Sequence, residues 1–124
     1  IDNLGRILIQ EDIGGQDPLG AIWLYDTASA GLVKIAEHDP FRFAPGSSGF
    51  LTRDEEASGI IDATDILGKG WFLLSDQAHY AVSGEQYEGG QLMAMYVDPS
   101  IIPAPGAAAI LGLGALAASR RRRA

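Results

Sequence analysis

The sequence contains no cysteine. That excludes disulfides and thiolate metal sites within this stretch, and it leaves the redox compartment open. Basic residues are scarce outside one place. Of the nine lysines and arginines, four are Arg120, Arg121, Arg122 and Arg123, so sixteen acids face five bases in the remainder, a balance of about −11. Such a body repels nucleic-acid phosphate and predicts no nucleic-acid partner, whereas its hard carboxylate oxygens suit Ca²⁺ or Mg²⁺. A start methionine is also lacking, and Ile1 reads as the first residue of a processed chain or of the C-terminal piece of a longer one. At 124 residues with 47% hydrophobic content, the composition fits one small globular domain and an appendage.

The appendage begins at Ile101. Pro103 and Pro105 interrupt any helix continuing from the body, and the run from Gly106 to Ala118 carries no charge. Those residues span about 20 Å as a helix, short of the roughly 30 Å hydrocarbon core, and counting from Ile101 brings the segment only to the borderline. Arg120–Arg123 then supply a cytoplasmic anchor under the positive-inside rule. Paired prolines, a small-residue apolar helix and a terminal arginine cluster together resemble the PEP-CTERM sorting signal of Gram-negative bacteria, with Ala104 where that motif usually has Glu. The resemblance implies a protein held transiently in the inner membrane. An exosortase-type enzyme would then cut near Pro103–Pro105, leaving the product at the cell surface or secreted.

Residues 1–100 read as all-β. Arg6–Glu11 alternates apolar and polar positions, and Ala21–Asp26 and Gly31–Glu37 are further strand-like runs, joined by the turn cluster Asp26–Gly31. A loop is expected over 39–49, then strands at Gly59–Asp62, Trp71–Asp76 and Gln91–Val97. Asp62–Leu67 reads either as one helical turn capped by Asp62 or as a loop. Short meandering strands with glycine-rich turns are the habit of propeller blades. Two blades cannot close a ring, so the body is expected to be the last one or two blades of a larger β-propeller, followed by the short apolar helix.

Three acidic or imidazole clusters are expected at strand-to-loop transitions: Glu11–Asp12, Asp54–Glu55–Glu56, and Asp76–Gln77 with His79. Adjacent carboxylates repel, and solvent or a cation must stabilise them. His38, beside Asp39–Pro40, carries no expected role. The stretches Gly5–Asp12, Ile22–Asp26, Asp54–Asp62, Gly70–Leu74, Gln77–His79 and Glu88–Leu92 resemble, in order, the C-terminal part of the PhoX-type alkaline phosphatase family. The resemblance implies a propeller with a calcium- and iron-containing centre on its axis, hydrolysing phosphate monoesters outside the cytoplasm. It implies Glu11 and Glu56 as metal ligands and His79 as the residue that contacts phosphate or donates a proton. Asp12, Glu55, Asp76 and Gln77 would orient those ligands or stand in for them. Two departures are the missing cysteine and Ala78, inserted between Gln77 and His79. The competing expectation is a non-catalytic, calcium-stiffened module that binds surface polysaccharide.

Overall fold

Hydrophobic alternation does most of the work of building the fold. In a computed structural model that describes residues 1–15 and 19–101, the chain forms six strands and two single helical turns. The strands are β1 (Arg6–Gln10), β2 (Ala21–Asp26), β3 (Gly31–Glu37), β4 (Glu55–Asp62), β5 (Trp71–Ala81) and β6 (Glu88–Tyr96). The turns are α1 (Pro40–Phe43) and α2 (Thr64–Leu67). All pairing between strands is antiparallel, in two three-stranded meanders ordered β1-β2-β3 and β4-β5-β6. The described residues are therefore all-β in character, as expected.

The first meander follows the sequence closely. Ile22, Leu24 and Asp26 of β2 face inward and are buried, while Trp23 and Tyr25 point to the other face. The β2–β3 turn is organised by Asp26, whose carboxylate accepts from the backbone N–H of Ser29 at 2.9 Å. Ala30 completes the reversal at φ 53°, a conformation that an L-residue adopts only under local constraint.

The second meander departs from expectation. β4 starts at Glu55 rather than Gly59, β5 runs on to Ala81 rather than stopping at Asp76, and β6 starts at Glu88 rather than Gln91. The extended register pairs Glu55 with Ala78 and Glu56 with Gln77. Backbone pairing with a neighbour outweighs the weak strand preference of acidic residues here, because each extra pair satisfies main-chain donors and acceptors. A bulge between Ala57 and Gly59 lets the longer strand follow its partner. Within the expected 39–49 loop, Asp39 accepts from Phe41 N–H and starts α1. At 62–67 the helical turn is the alternative realised, but Ala63 rather than Asp62 stands at its N-cap; Asp62 ends β4 and accepts from Thr64 N–H at 2.8 Å.

The two sheets pack face to face around Leu24, Phe72 and Val97, with Leu8, Val33, Ile35, Ile60 and Met95 against them. Full burial of Leu24 contributes about 1.5–3 kcal/mol. Two polar links close the sheets at their ends. Arg6, paired with Asp2 at 2.8 Å, donates from Nη1 to the carbonyl of Asp98 at 3.0 Å. At the opposite end of β1, Asp12 bridges to Glu56, and Gly15 N–H donates to the carbonyl of Arg53 at 2.8 Å. Among the described residues no helix is long and apolar enough to cross a membrane. Pro103, Pro105, the apolar run and Arg120–Arg123 lie outside the described residues.

Candidate acidic junction

Strand alternation assigns the two adjacent glutamates of β4 to opposite faces. Glu56 turns outward. Its backbone bridges to Asp12, which ties the end of the β1 segment to the start of β4. The carbonyl of Asp54 accepts from His79 N–H at 2.8 Å, which brings β5 to the same place. Asp12, Asp54, Glu56 and His79 thus meet although up to 67 positions separate them in sequence.

The side chains complete the junction. His79 Nε2 stands 3.7 Å from a carboxylate oxygen of Glu56, and its Nδ1 bonds Glu88. The hydrogen bond to Glu88 raises the His79 pKa; burial opposes it, and the charges of Glu88, Asp54 and Glu56 add to the rise. Gly14 is what leaves room for the carboxylates. A Cβ at that position would sit 2.8 Å from Glu56 Oε1 and 3.1 Å from Asp54 Oδ1. Both carboxylates therefore converge on the space beside the glycine.

Other expected site residues lie elsewhere. Glu11 turns toward β2, where Oε2 accepts from Ala21 N–H at 3.0 Å and Oε1 from the Trp23 indole N–H at 2.8 Å. It fastens β1 to β2. Gln77 is exposed on the Glu56 face, paired across the ladder with Glu56. Asp76 faces inward and bonds His38 Nε2 at 2.8 Å. Glu55 also faces inward, is 1% exposed, and has no hydrogen-bond partner on either carboxylate oxygen among the described residues. The clusters are thus divided between two faces. Asp76 and His79 moreover lie inside β5 rather than at its end, because the strand continues through them.

Sequence reasoning passed over three residues that the fold brings into play. Glu88 pairs with His79, and its place before Gly89–Gly90 gave no hint of that. Asp54 belonged to the acidic triplet, yet only the Gly14 approach reveals its convergence with Glu56. His38 was assigned no role, but its Nδ1 bonds the Gly20 carbonyl at 3.0 Å while its Nε2 bonds Asp76.

The donor set can be tested against the implied metals. Among the described residues no group of three or more His, Asp or Glu side chains is placed to hold a metal ion. Calcium also accepts backbone carbonyls and water, so Glu56 and Asp54 fit as part of a calcium set. Glu11, committed to two N–H donors on β2, does not turn toward them. For iron the junction offers the Nε2 of His79 and no thiolate. Compared with known protein families, curated proteins and solved structures, the chain gives no match.

Proposed function

We propose that residues 1–100 are sheets of an extracytoplasmic β-propeller whose acidic junction forms part of a calcium-dependent site for phosphate monoesters. Residues 101–124 would carry it to the inner membrane, for cutting near Pro103–Pro105 by an exosortase-type enzyme and delivery to the cell surface. The observation that carries the site is the convergence of the Asp54 and Glu56 carboxylates beside Gly14, with His79 of β5 3.7 Å from Glu56. Propeller blades need neighbours on both faces, and the outer faces here carry exposed apolar side chains beside the polar junction. The Ile61–Leu73–Ala94 row exposes Ile61, and Ile7–Tyr25–Leu32 exposes Leu32.

In this reading Glu56 and Asp54 hold the cation, and Asp12 fixes the backbone of Glu56. Calcium supplies the positive charge that neutralises the ester phosphate. His79, whose pKa is raised chiefly by its hydrogen bond to Glu88, favours the imidazolium form that pairs with phosphate oxygen or protonates a leaving group. Gln77, exposed on the same face, is placed to donate an amide hydrogen bond.

A second reading draws on Glu11. Because its carboxylate is bound to β2, one expected ligand is structural, which favours a calcium-stiffened module that binds surface polysaccharide without hydrolysis. The deciding experiment uses the full-length protein. Glu56→Gln should weaken calcium binding by about tenfold to a hundredfold. Hydrolysis of p-nitrophenyl phosphate should fall at least as much, and His79→Ala should lower turnover more than calcium content. Calcium binding with no hydrolysis selects the binding module; no calcium binding at all removes both readings. For the tail, neutralising Arg120–Arg123 should reduce membrane retention or processing. An intact tail in membranes of a host that has the sorting enzyme would refute sorting.

A further inference from the structure

A cavity of about 880 Å³ lies between the inner faces of the two sheets, and the acidic-junction side chains Glu56, His79 and Glu88 take no part in its lining. Its volume falls within the roughly 300–1,000 Å³ of pockets that take small organic ligands. The walls include Ile22 of β2, Leu74 of β5, and Met93 and Met95 of β6. Methionine side chains adapt to the shape of an apolar guest.

The charges around this cleft determine what it can take. Three carboxylates line it, and each is already engaged. Asp76 bonds His38 at 2.8 Å, Asp39 accepts from Phe41 N–H at 2.9 Å, and Glu37 pairs with the Lys34 ammonium. The His38 ring is engaged at both nitrogens, by a carbonyl and by a carboxylate, and both are acceptors. An imidazolium satisfies them together and keeps no lone pair for base catalysis or metal ligation. The cleft is therefore built for binding. Arg42 is the exception among the charged lining residues. Its guanidinium lies 5.2 Å from the Phe41 ring centroid and has no carboxylate partner among the described residues.

We propose that this cleft binds a small amphipathic carboxylate, its alkyl body against Met93 and Met95 and its head paired with Arg42. A guanidinium matches a carboxylate in a two-pronged hydrogen bond. One uncommitted cation among three acids suits a single negative charge, whereas a phosphate dianion would meet more repulsion than attraction. The Tyr80 hydroxyl and the Gln91 side-chain amide, both in the lining and without hydrogen bonds among the described residues, add neutral polar groups to the cleft.

The test uses a feature of the sequence: its two methionines are the two that line the cleft. Protein labelled with [methyl-¹³C]methionine is titrated with octanoate, octylamine and octanol. Octanoate should shift both methyl signals saturably. Octylamine should bind at least tenfold more weakly, and octanol should fall between them. Arg42 is exposed, so Arg42→Gln should keep the amide spectrum while weakening octanoate about tenfold, and Arg42→Lys should lose less. Unmoved methyl signals with octanoate would overturn the site. Equal affinity for octylamine, or an Arg42→Gln variant that binds octanoate as the parent does, would overturn the assignment of the head group.

Discussion

Removing the Asp2 carboxylate tests how the sheets are tied together. Asp2 Oδ1 accepts from the N–H groups of Leu4 and Arg6 at 2.9 Å each, and Oδ2 accepts from Arg6 Nε at 2.8 Å. Both side chains are 4% exposed, and the other end of the guanidinium reaches the Asp98 carbonyl, 92 positions away. Asp2→Ala leaves a buried guanidinium without its counter-charge, and Arg6 Nη2 already lacks a partner among the described residues. Breaking a buried pair from one side costs about 3–5 kcal/mol. A domain of this size has about 5–15 kcal/mol in total, so the loss is a large fraction of its stability. With a urea slope of about 1–3 kcal/mol/M, the midpoint should fall on the order of 2 M. Fluorescence of Trp23 and Trp71, one in each sheet, follows the transition. Asp2→Asn keeps the acceptor for the two backbone donors and should cost less. Combining Asp2→Ala with Arg6→Met should cost less than the sum of the single changes, because no charge is stranded. A cost below about 1 kcal/mol for Asp2→Ala, in a two-state transition, would refute this account of the closure.

Three further outcomes follow from other parts of the fold. Burial lowers the His38 pKa, but the hydrogen bond and charge of Asp76, the Gly20 carbonyl and the Glu55 charge outweigh it, so the folded value lies above the ordinary 6.5. The stability this contributes is complete below pH 6.5 and is lost as pH rises through the folded value; urea midpoints measured against pH should show that decline, and His38→Gln should abolish it. Glu55→Met replaces a buried carboxylate that has no hydrogen-bond partner among the described residues by an apolar side chain of similar size, and should raise stability by about 1–3 kcal/mol while lowering the His38 titration midpoint seen by NMR. A fall in stability would show that Glu55 has a partner in solution. Gly14→Ala places a methyl group where Glu56 and Asp54 converge; those flexible side chains can swing away, so calcium affinity should drop at nearly unchanged urea midpoint, and unchanged affinity would mean the ion does not bind there.

The first meander was legible in the sequence because its local signals agree. Ala21–Asp26 and Gly31–Glu37 carry β-branched, aromatic and aliphatic residues, and the Asp26–Gly31 cluster supplies the turn between them, so strands and pairing follow from neighbours in sequence. The surplus of carboxylates is likewise a property of composition alone. Where β4 and β5 extend was a tertiary decision. Glu55, Glu56, Gln77 and His79 have weak strand preference, and they become strand because adjacent strands satisfy their backbone groups.

Register then decided which acids meet. Because successive residues of a strand face opposite ways, Glu56 was sent to His79 and Asp54 while Glu55 and Asp76 were sent to the interior. The family resemblance implied Glu11 and Glu56 together as ligands, but the Trp23 indole and Ala21 N–H, brought alongside by β1–β2 pairing, claimed the Glu11 carboxylate. His38 looked idle for the same reason in reverse. Its partner is 38 positions away, on the other sheet, and only the packing of the two sheets brings Asp76 within hydrogen-bonding distance of its ring.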